Sequence, residues 1–170
     1  MFLDRDGTIM RDVEYCGDPR QVEIYPGVPR ALEQLKAAGF GIYVITNQSG
    51  IGRGYFTEQA YRTVEAEVAR QVGQGLIDAT YFCPDHPDKS SKRRKPETGM
   101  ILEAQRDYGV DLSRSFMVGD KSIDVKCGHA AGLRTILVET GDQKSTDATG
   151  ADWTARDFVE AAEIVLRHAI

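Results

Sequence analysis

The sequence has few cysteines, no long apolar run and no excess of basic residues. Only three of its 170 residues are cysteine. They are odd in number and widely spaced, which excludes a disulfide framework and fits a reducing cytosol. No apolar stretch approaches the roughly 18–20 residues of a membrane helix, and we expect no signal peptide. We therefore expect a cytoplasmic protein with no membrane partner.

The charge balance is acidic, with 26 Asp and Glu against 21 Lys and Arg and a formal charge of −5. General nucleic-acid binders are normally basic, so we expect no nucleic-acid partner. A chain of this length builds one core and leaves no room for a second large domain. We expect one domain over residues 1–170 and a monomer.

Short β-branched runs alternate with longer segments of helical period. This alternation predicts an α/β fold, a Rossmann-like three-layer sandwich with a central parallel sheet and no large cap domain. The first strand is short, and we expect the natural chain to start a few residues upstream. The predicted strands are residues 1–3, 41–46, 79–83, 115–118 and 134–138, and the predicted helices are residues 28–38, 57–72, 99–108, 123–131 and 155–169.

Polar residues follow the predicted strands at the points where the strands end. In an open parallel sheet, ligands bind outside these carboxyl ends. Acidic, hydroxyl and lysine side chains are therefore expected to converge on one edge of the sheet. The segments are Asp4-Arg5-Asp6-Gly7-Thr8, Thr46-Asn47-Gln48-Ser49-Gly50, Arg94-Lys95-Pro96 and Gly119-Asp120-Lys121-Ser122-Ile123-Asp124.

These residue types suit phosphoryl transfer. Carboxylates such as Asp4 and Asp120 are the hard ligands that Mg²⁺ prefers, and a carboxylate attacking phosphorus gives an aspartyl-phosphate. A second carboxyl group protonates the leaving oxygen, while positioned hydroxyl and ammonium groups stabilise the phosphoryl charge. Side-chain alternation turns Asp4 and Asp6 towards a ligand and Arg5 away from it.

The ordered motifs D-R-D-G-T, T-N-Q-S-G, K-P and G-D-x-x-x-D resemble the haloacid dehalogenase superfamily of phosphatases. The match runs from Phe2 to Gly141. Within that superfamily, T-N-Q-S-G-I-G-R-G-Y-F-T-E and R-K-P are similar to the group of heptose-bisphosphate and histidinol-phosphate phosphatases. The resemblance implies a Mg²⁺-dependent phosphomonoester hydrolase.

The resemblance also implies a role for each motif residue. Asp4 would be the nucleophile and Asp6 the general acid/base. Magnesium would be held by the side chains of Asp4 and Asp120 and by the backbone carbonyl of Asp6. Of the other motif residues, Thr46 and Lys95 would hold the phosphoryl oxygens. Lys121 and Asp124 would hold in position the residues that contact the substrate and the metal.

A second charged group of the substrate is expected near Lys95. Arg94 adjoins that lysine, and Arg53 lies in the neighbouring loop, so the two guanidinium groups can hold a second phosphate or a carboxylate in fork geometry. The predicted substrate-binding set is completed by Asn47, Gln48 and Ser49.

The resemblance implies a phosphorylated sugar substrate, a heptose bisphosphate that loses its 7-phosphate. Histidinol phosphate is the alternative among enzymes. A non-catalytic phosphosugar-binding domain is the alternative from another class, and the presence of both Asp4 and Asp6 argues against it. A cap domain would be inserted at residues 10–26 or 77–94, and both segments are only as long as loops. The residues that select the substrate are therefore expected to lie on short loops.

The sequence departs from its group at a zinc site. Many members bind a structural zinc before R-K-P through a C-x-H pair and a later C-x-C pair. Here Cys83 is followed by His86, one residue late, and no cysteine lies between Cys83 and Cys127. A structural zinc needs about four such ligands, so we expect no structural zinc.

Elemental analysis of the purified protein tests this expectation. Dialysed protein should carry far less than one zinc per chain, because the local sequence lacks the thiolates that hold the ion. One tightly held zinc per chain would contradict it.

Overall fold

Six parallel strands form one sheet in the computed structural model, which describes residues 1–141 and 150–169. The strand order is β3-β2-β1-β4-β5-β6, so the chain reverses its direction of travel across the sheet beside β1. Reversals of this kind create the crevice in which α/β proteins bind ligands. The strands are β1 (Phe2–Leu3), β2 (Tyr43–Asn47), β3 (Ala79–Cys83), β4 (Phe116–Gly119), β5 (Arg134–Val138) and β6 (Trp153–Ala155).

Helices cover both faces of the sheet, and two apolar clusters separate the layers. Adjacent strand residues point to opposite faces, so Leu3 and Val44 join one cluster while Phe2 and Ile45 join the other. The helices are α1 (Val28–Ala37), α2 (Ser49–Gly52), α3 (Glu58–Val72), α4 (Gly99–Tyr108), α5 (Ser122–Ala130) and α6 (Phe158–His168). The buried residues of α1 and α6 and the buried valines of α3 belong to the first cluster, and the buried residues of α4 with Cys127 of α5 belong to the second. The predicted three-layer α/β architecture is confirmed.

The last predicted helix is wrong at its start. Residues 153–155 form β6, which pairs in parallel with β5, and α6 begins only at Phe158. The side chain of Asp157 accepts a hydrogen bond from the backbone N–H of Glu160 at 2.9 Å, which fixes the helix start there. A strand of three residues is too short to show a period of its own, so it was not predicted, and its last residue was placed in the helix.

The short helix α2 was not predicted either, since no helix was placed between the predicted strand 41–46 and the predicted helix 57–72. It follows β2 directly, and its residues lie at the carboxyl edge of the sheet. Between β1 and α1, the described backbone has one short 3₁₀ turn, Pro19–Gln21, and between β3 and α4 it has no helix or strand. Both connections are thus loops of the expected size. Of the described helices, none combines the length and the apolar character that crossing a membrane requires.

Candidate active site

The four polar segments meet at the carboxyl edge of the sheet. Asp4 directly follows β1, Thr46 lies at the end of β2, and Asp120 directly follows β4. Lys95 arrives from the loop between β3 and α4, and all four side chains are buried. Parallel strands end on the same side, which explains how four separated segments supply one site.

The Lys95 ammonium is the centre of this site. Its Nζ forms ion pairs with Asp4 Oδ1 at 2.8 Å and Asp124 Oδ1 at 2.7 Å, and it donates a hydrogen bond to the backbone carbonyl of Ile45 at 2.9 Å. The ammonium group thus has two carboxylate oxygens and one carbonyl oxygen within 3 Å. The lysine side chain is 1% exposed, so these contacts offset the cost of removing its charge from water.

Asn47 holds the backbone of Lys95 in place. The Asn47 side chain donates from Nδ2 to the Lys95 carbonyl at 3.1 Å and accepts from the Lys95 N–H at 3.0 Å. Sequence reasoning predicted Asn47 as a substrate-binding residue. In the structure its amide is used on both sides to fix the loop that carries the lysine.

Asp120 is a buried carboxylate without a hydrogen-bond donor among the described residues. Lys121 Nζ is 3.8 Å from its Oδ2. A Cβ atom at Gly7 or at Gly141 would collide with this carboxylate, so the surrounding backbone depends on glycine to approach it closely. Gly7 also has a φ of 83°, in the left-handed region that favours glycine.

Three carboxylates lie close enough together to share a cation. Asp4, Asp120 and Asp124 each offer one oxygen, and these oxygens lie within 4.8 Å of one another. Asp124 is already engaged, since it contacts Lys95 and accepts from the backbone N–H of Lys121 at 3.0 Å. Asp4 and Asp120 therefore remain as the carboxylates that can hold a hard cation such as Mg²⁺.

Burial also changes the acidity of these groups. It raises the pKa of Asp4 to about 6, although the charge of Lys95 acts in the opposite direction. Burial, together with the charge of Asp4, raises the pKa of Asp120 to about 8. Both shifts mean that burial disfavours the ionised form of these carboxyl groups, and a bound cation would favour it.

The second acidic residue of the first motif, Asp6, is held by Arg5. Arg5 Nη2 donates to Asp6 Oδ1 at 3.0 Å and Nε donates to Oδ2 at 3.2 Å, while Nη1 donates to Glu65 Oε1 at 2.6 Å. The Arg5 side chain was expected to turn away from the ligand, and it does not line the cavity. Its role in holding Asp6 was missed, because Glu65 lies 60 residues further along the chain.

Gln48 links Asp6 to Thr46. Its Nε2 donates to Asp6 Oδ2 and to Thr46 Oγ1, each at 2.8 Å. Its amide thus connects two groups of the site, and because Gln48 also lines the cavity beside them, its role in substrate binding stays a prediction. The accepted hydrogen bond leaves the Thr46 hydroxyl proton available for a phosphoryl oxygen.

A cavity of about 250 Å³ opens beside these residues. Its walls include Asp6, Ser49, Arg94, Lys121 and Tyr15. A larger cleft of about 460 Å³ lies near the amino ends of the strands, where Met1, Gly41 and Tyr43 contribute to it. The acidic cluster is at the opposite edge, so the smaller cavity is the candidate substrate site.

Two arginines, one lining the cavity and one beside its wall residue Tyr15, have no carboxylate partner in the described part of the chain. Arg94 lines the cavity, and its Nη1 donates to the backbone carbonyl of Asp85 at 3.5 Å. The Arg53 guanidinium lies 5.9 Å from the ring centre of Tyr15, which in turn packs edge-to-face against Tyr55 at 4.8 Å. Both guanidinium groups can accept an anionic part of a substrate.

The loop that carries Tyr15 has strained backbone angles and an ion pair that ties it to Lys121. Glu14 and Tyr15 have positive φ angles of 41° and 60°, which side-chain-bearing residues adopt at a cost. Nearby, Asp12 Oδ2 pairs with Lys121 Nζ at 2.9 Å. Strain of this kind is often found where a loop shapes a binding site.

Around Cys83 and His86, where the sequence departs from the zinc-binding pattern, the side chains contact other polar groups. The Cys83 thiol lies 3.5 Å from Asp85 Oδ2 and 3.6 Å from Ser91 Oγ, and His86 Nδ1 lies 3.4 Å from Asp88 Oδ2. Within residues 1–141 and 150–169, the group of three or more potential metal ligands is the aspartate trio at the active site. The absence of structural zinc stays a prediction.

Comparison with known proteins places the chain in a family. A family model described as HAD-hydrolase-like matches residues 92–161. The D-glycero-beta-D-manno-heptose-1,7-bisphosphate 7-phosphatase of Yersinia pestis is 36% identical, over 97% of this chain and 94% of that protein. The chain belongs to the heptose-bisphosphate phosphatase family of HAD-like hydrolases. A probable phosphatase of the same kind from Thermoplasma volcanium is 43% identical, over 72% of this chain and 85% of that protein.

A solved structure of the family has the same fold over its whole length. The D,D-heptose 1,7-bisphosphate phosphatase from B. bronchiseptica superposes with a TM-score of 0.91 at 32% identity, covering 99% of this chain and 98% of the other. That structure is a complex with magnesium and phosphate. The resemblance drawn from the motifs is thereby confirmed at the level of family and fold.

The raised pKa values predict how metal-free protein responds to pH. An unfolded aspartate has a pKa near 3.9, so between about pH 4 and pH 8 the folded chain binds more protons at Asp4 and Asp120 than the unfolded chain does. These two groups should therefore make the free energy of unfolding fall as the pH rises through this range. Magnesium should restore it, most strongly near pH 8.

Asp120→Asn should flatten this pH dependence and raise metal-free stability at pH 8 by at least about 1 kcal/mol, because one unit of pKa shift is worth about 1.4 kcal/mol. Urea unfolding at several pH values, with and without magnesium, measures both effects. Asp88→Asn, at a side chain that is 88% exposed, is the matched control. An Asp120→Asn profile identical to that of the unmodified protein would contradict the account.

Proposed function

We propose that this chain removes the 7-phosphate of a D-glycero-D-manno-heptose 1,7-bisphosphate through an aspartyl-phosphate on Asp4. One observation carries the mechanism: the buried Lys95 ammonium contacts Asp4 and Asp124, beside an Asp120 carboxylate that has no donor in the described structure. The names of the relatives from Yersinia pestis and B. bronchiseptica support the substrate.

The first half of the reaction transfers the phosphoryl group to the protein. A carboxylate oxygen of Asp4 attacks phosphorus, and the bond from phosphorus to the sugar oxygen breaks. Asp6 gives its proton to that leaving oxygen, so the sugar departs as an alcohol. Lys95 holds Asp4 in position, and the Thr46 hydroxyl donates to a phosphoryl oxygen.

The second half releases phosphate. Asp6, now a carboxylate, takes a proton from water as the water oxygen attacks phosphorus. The bond from phosphorus to the Asp4 oxygen breaks, and inorganic phosphate leaves with Asp4 regenerated. The same side chain serves as acid and then as base, which returns the site to its starting protonation state.

Magnesium fits the residues that are present. The side chains of Asp4 and Asp120 and the backbone carbonyl of Asp6 would hold it, since they supply hard oxygen ligands and Asp120 lacks another partner in the described ranges. When bound, the ion supplies positive charge that offsets the repulsion between these carboxylates and the phosphoryl group.

The second phosphate of the substrate is assigned to Arg94 and Arg53. Both guanidinium groups lie near the cavity, and neither has a carboxylate partner where the structure is described. A bisphosphate uses two such cations, whereas histidinol phosphate carries an amine that they would repel. The heptose bisphosphate is therefore favoured over the histidinol phosphate alternative.

Replacement of the nucleophile tests the mechanism. Asp4→Asn should lower kcat by at least about 1000-fold, since an amide neither attacks phosphorus nor leaves as a carboxylate. Phosphate release with magnesium measures the loss, and circular dichroism checks that the variant folds. Asp88→Asn serves as the matched surface control. An Asp4→Asn variant that retains substantial turnover would refute the aspartyl-phosphate.

Arg94→Ala tests the second-phosphate site. We expect KM for the bisphosphate to rise about 10-fold or more, with a change below about threefold for a simple aryl phosphate that has no second charge. Arg93→Ala is the control, because that neighbouring guanidinium is paired with Glu103 at 2.9 Å. Equal effects of Arg94→Ala on both substrates would show that Arg94 does not bind the second charged group of the substrate.

A further inference from the structure

Arg5 stands between the two aspartates of the first motif in the sequence, and in the fold it is a fully buried cation. Its exposure is 0%, and it lies between two carboxylates, Asp6 on one side and Glu65 of α3 on the other. Its guanidinium carbon also lies 5.5 Å from the ring centre of Tyr61. A buried cation with this many partners has one accessible orientation, because leaving any partner would strand a charge in the protein interior.

The contacts with Asp6 form a two-pronged clamp. Arg5 Nη2 donates to Oδ1 and Nε to Oδ2, at 3.0 and 3.2 Å, and this fork geometry fixes the plane of the carboxyl group. Gln48 Nε2 donates a further hydrogen bond to Oδ2 at 2.8 Å. The clamp thus determines where each oxygen of Asp6 lies.

A count of lone pairs distinguishes the two oxygens. A carboxylate offers about four acceptor positions, two on each oxygen. On Oδ2 both are used, one by Arg5 and one by Gln48, whereas on Oδ1 the Arg5 contact uses one. The remaining position on Oδ1 is the place where a transferable proton can sit.

We propose that Arg5 and Glu65 are positioning residues for the proton transfer of this phosphatase, and that they make Asp6 Oδ1 the oxygen that carries the proton. This inference rests on the proposed function. The proton leaves Oδ1 for the sugar oxygen as the bond to phosphorus breaks, and Oδ1 takes it back from the attacking water. Glu65 anchors the far end of the guanidinium at 2.6 Å, so helix α3 sets the position of a group in the loop after β1.

A comparison of leaving groups isolates this role. An alkyl phosphate releases a basic alkoxide that needs a proton, whereas dinitrophenyl phosphate releases a stable phenolate that does not. The quantity kcat/KM reports the steps up to departure of the leaving group, before water attacks. It therefore measures the donation of the proton without the later hydrolysis of the intermediate.

The experiment measures kcat/KM for both esters in the unmodified protein, in Arg5→Lys and in Glu65→Ala, all with magnesium. Arg5→Lys keeps the charge and loses the fork, and we expect a 10- to 100-fold fall for the alkyl ester with less than about a threefold change for dinitrophenyl phosphate. Glu65→Ala removes the anchor and should give a fall of roughly tenfold for the alkyl ester, with the same contrast. Glu58→Ala is the control, on the same helix and paired with the exposed Arg62 at 3.0 Å.

The outcomes separate this inference from the proposed function. A variant that is merely less folded loses activity on both esters equally, so an unchanged ratio between the esters overturns the positioning role. If Arg5→Lys does not fold, the ratio in Glu65→Ala decides alone. An unmodified protein that hydrolyses neither ester would instead refute the phosphatase activity itself.

Discussion

The buried Lys95 ammonium is the interaction on which the rest of the site depends. It lies between Asp4 and Asp124, with which it forms ion pairs, and it donates a hydrogen bond to the Ile45 carbonyl. An unpaired charge at such depth costs several kcal/mol, so the lysine and its acceptors require one another. Through this contact the loop before α4, the end of β2 and the first residue after β1 are held in one arrangement, and Asn47 fixes the loop from the backbone side.

The site combines an excess of negative charge inside with unpaired positive charge at its mouth. Asp120 has no donor in the described structure, and burial raises its pKa to about 8. Arg53 and Arg94 stand near the cavity without carboxylate partners among the described residues. The overall charge of −5 conceals this separation. It suits a reaction in which a cation enters the acidic cluster while a doubly charged anion binds at the arginines.

The features that sequence predicts here are those with local causes. The alternation of β-branched runs with segments of helical period predicted the α/β architecture, and parallel strands necessarily bring Asp4, Thr46 and Asp120 to one edge. Contacts between distant segments could not be read in this way, since Arg5 meets Glu65 across 60 residues and the Asn47 amide meets the Lys95 backbone across 48. The three-residue strand β6 was missed for another reason, because it is too short to show a period.

The central claim is that Asp4 forms a covalent bond to phosphorus. Rapid acid quench of the enzyme with its bisphosphate substrate and magnesium, followed by peptide mass spectrometry, tests it directly. The account predicts a transient phosphate on the peptide that contains Asp4, appearing together with the first sugar product and decaying as inorganic phosphate is released. Phosphate release without a phosphorylated peptide at any quench time, or a phosphate attached to another residue, would contradict it.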